Sequence, residues 1–208
     1  LHTGKPVQLN LLPSAPNTGI IFKRIDIKKN NIIVPRFNNV IDTELCTTLS
    51  NEFGTKVSTI EHLMGALYGL GIDNLIVETN AQELPILDGS AKIFVEKILS
   101  AGLKLSSTPI KLIKINSKVT YEEGRKSISL DKSRVASEID FEIKYNNKII
   151  GNQRNKINIF NDDLSEIYSS RTFCLYEDVE KLRKAGFAQG GSLENAIVVD
   201  EKKVLNKE

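Results

Sequence analysis

Cysteine is scarce. Cys46 and Cys174 are the only two in 208 residues, and they lie far apart in the chain. That excludes a small scaffold stapled by paired cysteines, and a reducing compartment is expected. Long apolar runs are missing too. None approaches the roughly 20 residues of a membrane-spanning helix, and no signal-peptide pattern opens the sequence. A soluble, cytoplasmic protein is expected. Charge of one sign is also lacking: 28 Lys and Arg face 26 Asp and Glu, for a net charge of +2. The two signs are interleaved, so composition gives no argument for nucleic acid. Histidine is confined to His2 and His62, and the single methionine is Met64. A sequence that starts at Leu1 and stops on a charged stretch after "VVDEKKVL" is expected to be a piece of a longer chain.

What is present suffices for a core. Forty per cent of residues are hydrophobic and 26% charged, and length favours one or two domains. "KPVQLNLLPS", "TGIIFKRIDI", "NIIVP", "TELCTTLSN" and "NLIVETN" read as strands, and "STIEHLMGALYGLGIDN" (58–74) as a helix. "LDGSAKIFVEKILSAG" turns at Asp88-Gly89 and continues as a helix, with Ser90 as cap and Gly102 as terminator. "SSTP" (106–109) is the linker. Beyond it "IKLIKIN", "KVTYEE", "KSISL" and "SEIDFEIKYN" read as strands, "NDDLSEIYSSR" as a helix capped by Asn161 or Asp162, "YEDVEKLRKAG" as a second helix and "NAIVVD" as a last strand. Strands followed by helix occur on each side of the linker. The reading is α+β, with two similar domains over 1–105 and 110–208, each a β-sheet layered against helices.

Glu61 and His62 stand side by side in the first helix. Ile60, Leu63, Met64, Leu67 and Leu70 fall on one face at helical spacing; Glu61 and His62 fall on the other, with Gly65, Ala66 and Gly69. Two glycines on one face suggest a close approach by another segment or a ligand, because each costs a helix about 1 kcal/mol relative to Ala. Ser58-Thr59-Ile60-Glu61 also fits a capping box, in which Glu61 would reach back to the Ser58 N–H. A lone His is ordinarily structural or solvated, and no second His follows one turn later as in HExxH. Spacing decides neither. Elsewhere "GFAQGGS" lacks the Lys-Ser/Thr of a phosphate loop and reads as a flexible turn. "LDGSA" reads as a turn and cap. Cys174, on a strand with no nearby His, reads as an inert core thiol.

"LHTGK", "NTGIIFKRID", "DTELCTTL", "STIEHLMGALYGLGIDN", "ELPILDGSA", "SRTF" and "GGSLENAIVVD", taken in this order, resemble the UDP-3-O-acyl-N-acetylglucosamine deacetylases, zinc hydrolases of lipid A synthesis in Gram-negative bacteria. The resemblance implies two domains of the sandwich type known from a ribosomal protein, with a small insert at about 171–199 in the second. It implies that His62 ligates Zn2+, that Glu61 is the general base, and that Thr172 stabilises the oxyanion. Leu45, Phe173, Val179, Ala188, Ser192, Ala196 and Val198 would contact the substrate, those of the insert along its acyl chain. His2 would lie at the mouth of the site, near the nucleotide phosphates and not on the metal. The implied product is UDP-3-O-acyl-glucosamine with acetate. The implied partners are the UDP-sugar substrate and, through its acyl chain, transient membrane proximity; a monomer without nucleic acid is expected.

The same resemblance asks for two more zinc ligands, a His and an Asp one helical turn apart, and a proton-donating His. With only His2 and His62, these are expected beyond Glu208, and residues 1–208 alone are expected to be inactive. The alternatives are a degenerate nucleotide-sugar-binding homologue and an α+β nucleic-acid-binding module, since fold does not fix function.

Overall fold

The computed structural model describes residues 1–133 and 137–207. In chain order the first half comprises β1 (Leu9–Pro13), β2 (Ile20–Arg24), β3 (Ile32–Ile33), a 3-10 turn at Phe37–Asn39, β4 (Val40–Asp42), β5 (Thr48–Ser50), β6 (Lys56–Ser58), α1 (Glu61–Gly69), β7 (Leu75–Thr79) and α2 (Lys92–Ala101). The main sheet has the order β1-β7-β2-β3. β7 runs antiparallel to β1 and parallel to β2. A parallel pair needs a long crossover, and everything from β3 to α1 supplies it. β4, β5 and β6 form a second, antiparallel sheet.

Period-two burial selects the core face. In β7, Leu75, Val77 and Thr79 are buried while Ile76 and Glu78 are half-exposed. In β2, Phe22 and Arg24 are buried together. The Arg24 guanidinium is satisfied by a two-pronged contact with Asp26 (2.8 and 2.6 Å) and by the Lys56 carbonyl at 2.7 Å. Helix α1 adds Leu63, Ala66 and Leu67, and α2 adds Phe94, Val95 and Ile98, to a core with Leu49, Val57 and Leu84. Gly102 (φ 86°) closes α2 as the sequence predicts, but the N-cap is Ala91 and not Ser90, whose Oγ accepts the Lys92 N–H at 3.1 Å from one residue earlier.

The second half comprises β8 (Val119–Glu123), β9 (Lys126–Leu130), β10 (Glu138–Lys144), β11 (Asn152–Asn158), α3 (Ser165–Ser169), β12 (Phe173–Leu175), α4 (Tyr176–Lys184) and β13 (Ile197–Val199). β8–β9 and β10–β11 are antiparallel pairs, and β12–β13 is a parallel one. Ile150, Ile159, Leu164, Ala196 and Val199 are buried here. The architecture is α+β throughout. Among the described residues no helix is long and apolar enough to cross a membrane.

Several local expectations are corrected. "IKLIKIN" forms no strand: Leu112 and Ile113 are largely exposed, and among the described residues no strand pairs with this stretch. The polar β11 escapes a hydrophobic pattern because cross-strand charges hold it; Arg154 bonds Asp140 at 2.6 and 2.7 Å, and Lys156 lies 3.1 Å from Glu138. The α3 start is bound by Asp163, which accepts the Ser165 N–H at 2.9 Å, rather than by Asn161 or Asp162. Ala66 sits in the core and not beside Glu61, since the apolar stripe of α1 is wider than the sequence suggested.

The glycine face of α1 does admit another segment. Tyr168 of α3 lies against Gly69, where a methyl group would overlap its ring, while nothing approaches Gly65. The Tyr168 carbonyl also accepts the Ala91 N–H at 3.0 Å, which joins α3 to the start of α2. Gly69→Ala is expected to destabilise the fold by about 1–3 kcal/mol through overpacking. Gly65→Ala is expected to stabilise it by up to about 1 kcal/mol through helix propensity. Denaturant unfolding of the two variants compares them directly.

Candidate active site

The chain enters α1 through an unusual step. Ser58 ends β6, Thr59 takes a left-handed φ of 57°, and the helix begins at Glu61. A β-branched residue in that region costs on the order of 1–3 kcal/mol and persists only where its surroundings hold it. Thr59 is buried, with its hydroxyl 3.4 Å from the Glu83 carboxylate. This step rules out the capping box: the residue before the helix is Ile60, and no side chain caps it. The Ser58 N–H donates instead to the Gln82 carbonyl at 2.9 Å. Glu61 turns toward the residue just before β5, where its Oε2 accepts the Thr47 N–H at 3.0 Å. Its other oxygen has no protein hydrogen bond among the described residues.

His62 is half-buried beside it. Burial pushes its pKa below the usual histidine value, partly opposed by the negative charges of Glu61 and Asp88. The ring is therefore neutral at neutral pH, which is the form with a lone pair to donate. Asp88 comes from "LDGSA", which is the expected turn but also more than that. Leu87 (φ 54°) and Gly89 (φ 87°) are both left-handed. Asp88 Oδ1 accepts the Ser90 N–H at 3.1 Å and hydroxyl at 2.8 Å.

The second half docks on this turn through its backbone. The Gly89 carbonyl accepts the Thr172 N–H at 2.7 Å, and the Asp88 carbonyl accepts Arg171 Nε at 2.6 Å. The Thr172 carbonyl then accepts the Ile197 N–H at 2.9 Å. A side chain on Gly89 would run into the Asn195 carbonyl, so glycine permits both the turn and the close approach. "SRTF" is thereby fixed to the loop that carries Asp88.

Beyond Thr172 opens an apolar cavity of about 360 Å³. His2, Leu45, Phe173, Val179, Ala188, Ser192, Ala196 and Val198 all line it, and Thr172 shares its wall. Glu61 and His62 do not line it. In α4, Val179 and Leu182, three apart, face the cavity, while Glu180, Lys181 and Lys184 point to solvent. Sequence reasoning missed Tyr176, Leu182 and Leu193 within the insert and Leu205 beyond it, whose apolar character was the available signal. Cys174 is a wall residue and not a core thiol; burial, with Asp178 adding to it, raises its pKa, which keeps it the unreactive thiol that was expected.

"GFAQGGS" is not a free turn. The Gln189 and Gly190 N–H groups donate to the carbonyls of His2 (3.1 Å) and Leu1 (2.9 Å). The His2 ring lies edge-on to Phe187 at 5.6 Å, and its nitrogens are buried. Among the described residues no three His, Cys, Asp or Glu side chains converge on a metal position. His62 fits as a single ligand, a neutral imidazole with carboxylates nearby.

A family model described as UDP-3-O-acyl N-acetylglycosamine deacetylase matches residues 1–208. A protein of Nautilia profundicola named UDP-3-O-acyl-N-acetylglucosamine deacetylase is 45% identical over 207 residues, covering 99% of this chain and 70% of that protein. The proteins of the same name from Haemophilus ducreyi and Actinobacillus pleuropneumoniae are 42% and 40% identical over 214 residues, covering 100% of this chain and 69% of each.

Glu83, fully enclosed near this site, offers a pH test. Burial alone would raise its pKa, but the Thr3 hydroxyl, the N–H groups of His2 and Thr3 and the Leu1 amino group 3.0 Å away outweigh that and hold it at about 2, against 4.5 for a free Glu. A depressed folded-state value means that this contribution to stability is complete above about pH 4.5 and is lost as the pH falls toward 2. Glu83→Gln is expected to flatten that acid limb in unfolding midpoints measured across this range.

Proposed function

This chain belongs to the family of UDP-3-O-acyl N-acetylglycosamine deacetylases, and we propose that it removes the N-acetyl group from UDP-3-O-acyl-N-acetylglucosamine in lipid A biosynthesis. It is an amide hydrolase. In the proposed division, 1–105 and 110–208 are its two domains and 171–199 the acyl insert. The observation that carries the assignment is the shared placement of Thr172, docked on the Asp88-Gly89 turn near His62 and in the wall of an apolar cavity.

His62 would hold zinc through its neutral imidazole. Zinc, when bound, polarises a carbonyl and acidifies water. Three protein ligands are usual at a catalytic zinc, so the site takes two more donors than the described residues bring to His62. Glu61 acts as general base. Its Oε2 is fixed by Thr47, and Oε1 takes the proton of the attacking water. The new C–O bond forms at the acetamide carbon, and the carbonyl oxygen becomes an oxyanion. The Thr172 hydroxyl donates to it from a backbone fixed at Gly89 and Ile197. The C–N bond then breaks, the amine takes up a proton, and acetate and the glucosamine product depart.

The cavity takes the acyl chain. Each buried methylene contributes about 0.8 kcal/mol, so Phe173, Val179, Ala196 and Val198 supply binding that the sugar alone lacks. Leu45 and His2 stand where this wall meets the first half.

In the native protein, Glu61→Gln is expected to lower kcat about 10²–10⁴-fold, and Thr172→Val about 10²–10³-fold, both at nearly constant KM. His62→Ala is expected to lose bound zinc, read by metal analysis. Acetate release from the acylated UDP-sugar is the assay. Full turnover by Glu61→Gln, or zinc retained at wild-type stoichiometry in His62→Ala, would overturn these assignments.

A further inference from the structure

Glu83 opens "ELPILDGSA", and the mechanism above does not use it. Its side chain is 4% exposed, an unusual position for a carboxylate without an arginine or lysine. Its oxygens accept the His2 N–H at 2.7 Å, the Thr3 N–H at 2.7 Å, the Thr3 hydroxyl at 2.6 Å and, more weakly, the Thr59 hydroxyl at 3.4 Å, and the Leu1 nitrogen lies 3.0 Å from Oε1. Every partner is a donor. A group with two acceptor oxygens and no hydrogen answers that arrangement, and hydrogen bonds to an ionised acceptor are the strong ones.

What these bonds hold extends beyond the N-terminal segment. Residues 1–4 carry the load onward: the carbonyls of Leu1 and His2 receive the N–H groups of Gly190 and Gln189, and Gly4 packs against both residues. The 187–191 loop includes Ala188 in a left-handed conformation (φ 51°), which needs outside support. The same loop and segment put Leu1, His2, Ala188 and Gly191 into the cavity wall.

The geometry points to Glu83 as a positioning residue of the deacetylase reaction: by fixing residues 1–4 against the 187–191 loop, it sets the wall of the cavity that receives the acyl chain. Glu83 touches neither the cavity nor the reacting atoms; it acts through His2 and Thr3. The inference rests on the reading of the cavity as the acyl site.

The test compares KM for acetate release from a long-acyl and a short-acyl UDP-N-acetylglucosamine, using the native protein and its variants. Glu83→Ala is expected to raise KM for the long-acyl substrate about ten-fold, the equivalent of one lost buried hydrogen bond. It leaves KM for the short-acyl substrate, and kcat for both, within about three-fold. Glu83→Gln keeps one acceptor oxygen and is expected to fall between. Gly190→Val strikes the other end of the contact, where a side chain would meet the Gly4 backbone at 3.0 Å, and is expected to reproduce the Glu83→Ala pattern. Should Glu83→Ala fail to fold, the other two variants carry the same readout. A merely structural role would lower kcat equally for both substrates and leave the KM ratio unchanged; that result overturns the inference. Val179→Trp, which fills the cavity directly, separates the two levels. If it removes the chain-length preference while the Glu83 and Gly190 variants keep it, positioning alone is wrong. If it too leaves the preference intact, the acyl reading falls and takes the inference with it.

Discussion

The backbone hydrogen bond from the Thr172 N–H to the Gly89 carbonyl joins the turn that carries Asp88 to the apolar cavity. At 2.7 Å it is short, and the Arg171 contact with Asp88 and the close approach of Asn195 flank it. It ties a residue of the second half to the turn whose carboxylate charge acts on His62. Because the bond is main chain to main chain, it constrains position without using a functional side chain. The Thr172 hydroxyl stays available on one side, and the strand that follows, β12, runs on to form the cavity wall. Gly89 is indispensable for the same reason, since a Cβ there would collide with the Asn195 carbonyl.

Two glutamates near this junction serve opposite ends through one physical rule. A carboxylate accepts hydrogen bonds and donates none, so its role follows from how many of its lone pairs the protein engages. Glu83 is surrounded by donors and is held far below the usual carboxylate range, hence permanently ionised and unsuited to taking a proton. Glu61 is held by a single N–H, leaving an oxygen for water. Sequence position alone leaves Glu61 open between a cap and a functional carboxylate and says nothing of Glu83. The left-handed turn at Thr59 separates the fates: it breaks the register of the capping box and directs Glu61 toward Thr47, just before β5.

Some elements were legible and others were not, for identifiable reasons. β2, β7 and α2 follow from periodicity because each buries one face, and α4 because it turns Val179 and Leu182 to the cavity. Gly102 and Gly186 end their helices as read, both with positive φ. "IKLIKIN" alternates like a strand but pairs with nothing among the described residues, and alternation without a partner does not make a sheet. β11 is the reverse, a polar run made a strand by charges on β10. Ala66 was assigned to the wrong face because a small residue fits either the core or a close contact. The residues expected to contact substrate were named from their motifs, and the fold gathers them into one cavity; among the described residues no three His, Cys, Asp or Glu side chains converge on a metal position.

The sequence by itself determined the α+β class, the main amphipathic elements, the adjacency of Glu61 and His62, and the family to which the motifs belong. Those properties are local, or are carried by short runs of residues in a fixed order. Only the tertiary structure decided that Glu61 is not a cap, that the charge of Asp88 acts on His62, that Thr172 hangs from Gly89, and that residues 1–4 lie against 187–191. Each of these joins groups distant along the chain through a directional hydrogen bond or a steric limit, and no periodicity in a linear sequence encodes the meeting of two such points in space.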